Sequence, residues 1–256
     1  MRVARIACPR CWQELHDAGR NLRCDGCREV YPVARGIPSL LVGPPATWEE
    51  LIRTLDWEMQ RHPWVVLKMS VAACTWLPRA RQRLLRSLPI AAGDLVLDHC
   101  TGRGGNLPGL RRAVGASGGI AAFDLSGYGL AHALRTVERA GWQNVRLQQA
   151  DAHRLPYLSK TFDAVIHFGA WNQLASPERA LEEILRVTRP GGWVVLLDEG
   201  IEPKLRRTLW GSLLQWANPL FGCDPPIALL QAYGMRPEVR WVVRGMFYEV
   251  RFRTPV

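Results

Sequence analysis

Two groups of residues in this chain have the types and spacing to do chemistry. The first is Cys8-Pro-Arg-Cys11 with Cys24-Asp-Gly-Cys27, two C-x2-C pairs separated by twelve residues. Each pair can wrap two thiolates around one side of a metal ion, and two pairs complete the tetrahedron that suits Zn2+. A segment of about forty residues has little core of its own, so metal binding would supply its folding energy. Pro9 and Gly26 fit tight turns inside the pairs. The alternatives are four idle reduced cysteines or a redox pair, and the latter lacks a following βαβ unit.

The second group is "LDHCTGRGGN" (97–106), followed by Asp124 and Asp151. Gly102 and Gly104 let the backbone of this turn approach a ligand without Cβ clashes. Cys100 stands where a further glycine would be easiest, and its Cβ predicts that the turn avoids positive φ there. Asp124 lies twenty residues beyond Gly104, where an acid can accept hydrogen bonds from both ribose hydroxyls. Asp98, directly before the glycines, would repel a pyrophosphate, which argues against a dinucleotide.

These residues need elements to hold them. From residue 94 onward, short apolar runs alternate with helical patterns, the sign of a parallel sheet. Strands are predicted at 94–98, 118–124, 144–151, 162–169 and 193–200. A helix over 176–192 is capped by Ser176 and closed by Gly191-Gly192. One helix is read through 203–222, and 236–255 alternates like a terminal antiparallel pair. Residues 28–41 alternate like strands. The run 42–47 reads as a linker with Thr47 as an N-cap, and 52–90 as a helical cover. The fold class expected is α/β: a Rossmann-like doubly wound sheet with a terminal antiparallel strand pair, preceded by a small zinc ribbon. The divisions expected are a ribbon over 1–42, linker and cover over 43–90, and the main domain over 91–256.

The composition is that of a folded globular chain, with 48% hydrophobic and 22% charged residues. The net charge of +10 lies on the flanks: 14 basic against 8 acidic residues over 1–90, 11 against 11 over 91–200, and 8 against 4 over 201–256. Such flanks could meet nucleic acid, an anionic membrane or an acidic partner, or simply reflect arginine-rich usage. The opening "MRVARIACPR" lacks the apolar core of a signal peptide. The run 64–77 is interrupted by Lys68 and falls short of the about 20 residues a span requires. The expectation is a cytoplasmic protein without a transmembrane segment. Arg79, Arg81, Arg83 and Arg86 beside an apolar face leave open both a lid helix and a helix resting on anionic lipid.

The central motifs resemble those of class I S-adenosylmethionine-dependent methyltransferases over about 92–200. "VLDHCTGRGG" stands where that family has an acid followed by G-x-G-x-G. "FDLSGYGLAHA" holds the place of the ribose-binding acid, and "ADAHRLPYLSKTFDAV" that of the adenine-binding segment. "HFGAWNQLASPERALEEILRVTRPGGWVVLLDE" is similar to the ubiquinone/menaquinone-type subgroup. The resemblance implies S-adenosylmethionine as cofactor, with Asp98 at the methionine amino group and Gly102 and Gly104 under the methionine and ribose. It further implies Asp124 on the ribose and Leu125 near the adenine. Asp151 and the Ala152 amide would meet the adenine, and His167 backbone the methionine part. Cysteine at the Cys100 position is tolerated in that subgroup. "CPRC…CDGCREVYPVARGIPSLL" resembles the zinc ribbon of the small activator subunit of tRNA and translation-factor methyltransferases, over about 5–42. It implies a structural or docking role for Cys8, Cys11, Cys24 and Cys27.

The signature of amide N-methyltransferases is missing at 167–174, where Trp171 and Asn172 are the exposed-loop candidates for acceptor contact; the alternative for Trp171 is that it simply caps the core. His99 and His153 are candidate bases by proximity alone. The leading reading is methyl transfer to a small, hydrophobic acceptor, quinone-like or lipid. The alternatives are an RNA base methyltransferase and a non-catalytic subunit of a larger protein complex.

Overall fold

The structure, a computed structural model, describes residues 2–256. The N-terminal segment forms a four-stranded antiparallel sheet, β1 (Leu15–Asp17), β2 (Asn21–Cys24), β3 (Val30–Ala34) and β4 (Ile37–Pro38), in sequence order. Its core is small: Cys8, Cys24, Tyr31 and Leu40 are buried, with Ile6, Leu15 and Leu22 packed around them.

This unit is fastened to the larger sheet along a line of contacts. Ala7 N donates to Pro156 O, Leu40 N donates to Gln149 O, and Ser39 forms a parallel bridge with Gln149. Arg186 and Arg154 lie over the Trp12 ring, and Arg154 donates to the carbonyl of Arg10. The edge strand that would otherwise offer bare amides to solvent is thereby covered.

Two helices follow, α1 (Pro45–Ala72) and α2 (Leu77–Arg86). The first begins at Pro45 with Pro44 in the cap position, so Thr47 lies inside the helix and not at its cap, a correction to the sequence reading. Proline at the first helical position needs no donor, which makes that start easy.

Strands β5 (Leu95–His99), β6 (Gly119–Asp124), β7 (Val145–Gln149), β8 (Phe162–Phe168), β9 (Thr188–Glu199), β10 (Glu238–Val242) and β11 (Phe247–Arg253) build one sheet in the order β10-β11-β9-β8-β5-β6-β7. The five from β5 to β9 are parallel, and β11 and β10 run antiparallel at the end, as expected. Helices α3 (Leu107–Val114) and α4 (Gly127–Arg139) cover one face, and α5 (Pro177–Val187) with α8 (Ile227–Ala232) the other. The order reverses between β5 and β8, which makes the carboxyl ends of these strands the switch point.

Two boundaries differ from the sequence reading. Helix α5 stops at Val187 instead of running to Gly192, because Pro190 fixes its neighbour in extended backbone and the chain enters β9 at Thr188. The helix read over 203–222 is broken into α6 (Pro203–Arg206), α7 (Leu209–Ala217) and a 3-10 turn over Pro219–Gly222. Thr208 caps α7 by accepting from Gly211 N, and Asn218 caps the turn by accepting from Leu220 N.

Candidate functional site

The carboxyl ends of β5, β6 and β8 bring the chemistry-bearing residues of the sheet together. Asp98 is fully buried; Thr101 Oγ1 donates to its Oδ2 at 2.5 Å and Asn106 Nδ2 donates to its Oδ1 at 2.8 Å. Burial pushes its carboxyl up to about 6, against the pull of these donors and of the Arg81 guanidinium. Asp124 ends β6 and accepts from Gly102 N at 2.7 Å and Ser126 N at 2.9 Å. Burial raises its carboxyl as well. With two backbone donors bound, its oxygens keep lone pairs for further partners.

The turn is held by the residues after Cys100. Thr101 N donates to Phe123 O at 2.9 Å, and Gly102 N is bound to Asp124. Meeting both constraints requires a left-handed residue at the start of the turn, and Cys100 adopts φ of 57°. The expectation that this turn avoids positive φ at Cys100 is therefore wrong. The ladder of hydrogen bonds outweighs a local cost of about 1–2 kcal/mol.

The two glycines do different work. A Cβ on Gly102 would meet Met59 alone, Sδ at 3.5 Å and Cε at 3.9 Å, whereas one on Gly104 would lie 2.9 Å from Ala133 Cβ and Leu107 Cδ1. Gly104 thus serves close packing against α4 and not the open side of the turn.

Asp151 accepts from His153 N at 3.0 Å, and its Oδ1 lies 2.7 Å from His153 Nδ1. His153 Nε2 accepts from Ser176 N at 3.3 Å, so this ring is engaged on both sides. Asp151 lines a recess of about 160 Å³ with Leu40, Val42, Trp48 and Arg154. Ala152 is buried beside it, and the Leu125 carbonyl accepts from Gln149 Nε2.

His167 and His99 face each other in the core with Nδ1 atoms 2.8 Å apart, sharing one N–H. Both are fully buried and their Nε2 atoms have no partner among the described residues. Burial drives His167 down to about 4 and His99 well below the usual histidine range, so both are neutral at pH 7. Cys100 lies next to them, and burial raises its thiol well above its ordinary range. A thiol held protonated is a poor nucleophile.

The reading of Trp171 and Asn172 as exposed is corrected. The amides of Ala170 and Asn172 both donate to the buried carboxylate of Asp198, which draws the turn inward. Trp171 is only 3% exposed and packs edge-on against His167. Asn172 donates to Glu199 O and accepts from the Tyr248 hydroxyl at 2.9 Å.

Sequence reasoning missed the groups that arrive from outside the parallel strands. Asp56 of α1 accepts from Ser126 Oγ at 2.6 Å and Tyr128 N at 3.0 Å, closing that helix over the turn. Arg103 Nη1 donates to Met59 O. Arg81 of α2 reaches Gly105 and faces Asp98 and Glu199. Glu199, at the end of β9, has a buried Oε2 without a partner among the described residues, and burial raises its carboxyl well above the usual range. No local motif marks Asp56 or Glu199; Arg103 lies inside the glycine turn itself, and Arg81 stands out only as one of four arginines of the helical cover.

In the N-terminal unit the four cysteine sulfurs converge. Cys8 and Cys27 lie 3.5 Å apart and Cys11 and Cys24 3.3 Å apart, and one ligand atom from each of the four falls within 4.8 Å of the others. These separations exceed a disulfide bond. The donor set, four thiols around one point, is of the kind that fits zinc.

Comparison with known proteins agrees with this geometry. Residues 96–192 match the family model described as a methyltransferase domain. The chain is 35% identical over 120 residues to a demethylmenaquinone methyltransferase of Lactobacillus johnsonii, covering 46% of this chain and 49% of that protein. It is 32% identical over 145 residues to the protein of the same name from Staphylococcus aureus, covering 56% and 58%. The chain thus spans about half the length of the curated relatives it matches.

Among solved structures, an S-adenosylmethionine-dependent methyltransferase from Aquifex aeolicus superposes with a TM-score of 0.55 at 23% identity, over 68% of this chain and 88% of that one. A Haloferax volcanii complex of the Trm112 methyltransferase activator with a putative methyltransferase gives 0.55 at 20% identity, over 69% and 89%. These structures establish the fold. The centre of this chain, residues 96–192, is thus similar to methyltransferase domains and lies in a fold shared with an S-adenosylmethionine-dependent methyltransferase.

Proposed function

We propose that this protein transfers a methyl group from S-adenosylmethionine to a small apolar acceptor, a quinone-like ring or a lipid, and that Cys8, Cys11, Cys24 and Cys27 hold Zn2+ as a structural ion. The observation that supports the reading is that Asp98 and Asp124, at the ends of β5 and β6, flank a glycine turn whose Gly102 N donates to Asp124, with Asp151 in the recess beyond the neighbouring strand β7. The names of the relatives support the acceptor class.

The bound donor supplies an electrophilic methyl on a sulfonium. The chain's own task is to align the partners, and such positioning contributes about 7–11 kcal/mol. Asp98 as carboxylate holds the donor's amino group, and the Gly102 backbone lies under the methionine and ribose. Asp124 takes the ribose hydroxyls with its free lone pairs. Leu125, Asp151 and the Ala152 amide border the adenine beside the recess under Trp48. Cys100, His167 and His99 form the dry wall behind the turn. Glu199, with its unpartnered oxygen, is the polar group toward the acceptor.

Calorimetric titration with S-adenosylmethionine, followed by mass spectrometry of lipid and RNA extracts incubated with labelled donor, tests the reading. Donor binding with label in a lipid-soluble ring or lipid is expected. Label confined to RNA overturns the acceptor class, and failure to bind donor leaves a non-catalytic subunit.

A further inference from the structure

Two stretches of the chain carry basic residues and no acid. Residues 59–93 hold Arg61, Lys68, Arg79, Arg81, Arg83 and Arg86, and residues 203–223 hold Lys204, Arg206 and Arg207. The first contains the second half of α1, the second contains α7.

Each helix turns a long apolar stripe to solvent. Along α1, Trp57, Arg61, Trp64, Lys68 and Val71 recur every three or four residues and so share one side. Trp57 is 56%, Trp64 69% and Val71 70% exposed, and Arg61 stacks on Trp57. On α7, Leu209, Leu213 and Trp216 form the same pattern, with Leu209 92% and Trp216 83% exposed. The inner sides of both helices meet in one small core, where Met69, Ala72 and Ala73 pack with Leu214, Phe221 and Ile201. The two stripes therefore flank a shared cluster.

A monomeric soluble protein rarely exposes this much contiguous apolar surface without a partner. The chemistry of the partner follows from what borders it. Tryptophan favours a boundary that is apolar on one side and wet on the other. Beyond Glu58 the stripe is free of acids: Trp64 stands between Arg61 and Lys68, and Lys204, Arg206 and Arg207 precede the apolar stripe of α7. Such cations complement a negative surface, and lysine and arginine stems reach from apolar contact to headgroups.

We propose that α1 and α7 form a peripheral docking face for an anionic phospholipid bilayer. The helices lie in the interface and do not cross it; no helix among the described residues is long and apolar enough to span a membrane. The inner side of α1 holds Asp56 on the N-terminus of α4 and Met59 against Gly102, so one helix touches both the bilayer and the glycine turn. This face stands independently of the methyl-donor reading.

Flotation of the full chain with vesicles tests it, using phosphatidylcholine alone and phosphatidylcholine mixed with phosphatidylglycerol. The protein is expected to float with the mixed vesicles, to be released by high salt, and to show a blue shift in tryptophan emission. The double variant Trp64→Ser, Trp216→Ser, with unchanged circular dichroism, should lose at least about tenfold in partition. Lys68→Glu should lose less and remove part of the salt dependence. The proposal is overturned if the chain stays unbound with mixed vesicles, or if the double variant floats like the wild type. It is equally overturned if light scattering shows a dimer that the double variant dissociates while flotation is unaffected. Calorimetry with S-adenosylmethionine on the same samples reports the donor site separately.

Discussion

The cysteine cluster and the glycine turn are the two candidate sites of this molecule, and they are built by opposite means. The cluster is assembled from two local knuckles within twenty residues of chain, and besides the four cysteines its core is only Tyr31 and Leu40 with Ile6, Leu15 and Leu22 around them. The turn is assembled by a sheet: Asp98, Asp124 and Asp151 are the ends of neighbouring strands, and Asp56 and Arg81 arrive from helices that precede them all. If zinc is bound as proposed, the local site depends on that ion for its fold, whereas the sheet-borne turn is already formed by packing. Perturbations should therefore act differently in the two regions.

The largest effect is expected from removing metal. Structural zinc contributes on the order of 10 kcal/mol to units of this size. Chelation, or Cys24→Ser, should abolish one equivalent of zinc by elemental analysis and eliminate hydrogen-exchange protection over residues 6–40. The central strands should remain protected; loss of protection in β5 and β8 would show that the two regions are one folding unit.

Gly104→Val comes next. Its Cβ would press on Ala133 and Leu107 in a left-handed backbone, a cost of about 3 kcal/mol read as a lower denaturation midpoint. Gly102→Val shares the left-handed strain, at φ of 54°, but meets more room, so it should cost less stability than Gly104→Val while abolishing donor binding by calorimetry. If Gly104→Val unfolds nothing, the sheet-borne site is less dependent on packing than the comparison holds.

Acid should act on the buried histidines. His167 stays neutral down to about 4, while in the unfolded chain it takes up a proton near 6.5. The unfolded state thus binds more protons between these values, and stability falls as pH drops through this window, by about 3 kcal/mol from His167 alone. His167→Asn should flatten that slope in urea titrations at pH 7 and pH 5.

Asp98 titrates in the opposite sense. Its raised carboxyl, near 6, is protonated more readily folded than unfolded, so it favours the folded state at low pH and loses that advantage as pH rises. Donor affinity, which needs the carboxylate, should fall as pH drops below about 6, and Asp98→Asn should remove that dependence together with most of the affinity.

The smallest effect is at Cys100. Replacing it by glycine at φ of 57° should stabilise the chain by about 1 kcal/mol, and Cys100→Ala should keep donor binding. A Cys100→Ala protein that binds donor but has lost turnover would assign chemistry to the thiol after all.

Much of this was legible because it is local or periodic. Cysteine spacing announced the cluster, and alternating strand and helix patterns announced the sheet with its antiparallel end. The acids at strand ends could be picked out because a parallel strand must deliver its last residues to the same edge. Misreadings arose where a distant group overrules a local preference. Trp171 looked exposed until Asp198, more than twenty residues on, drew its turn inward. Cys100 looked unfit for positive φ until Phe123 and Asp124 fixed the residues behind it. The break of 203–222 into short helices was written in Thr208, Asn218 and Pro219 but hidden under an apolar run.

The sequence by itself determined the fold class, the four-thiol cluster and the set of acids at the switch point, because each follows from spacing along the chain. Tertiary structure alone decided which groups close over the turn and which stay outside. Asp56, Met59 and Arg81 face inward and Trp64, Val71 and Trp216 outward because α1, α2 and α7 are oriented by the cores they share with the sheet and with each other. Helical periodicity fixes which residues lie on the same side, but only packing chooses the side that meets solvent.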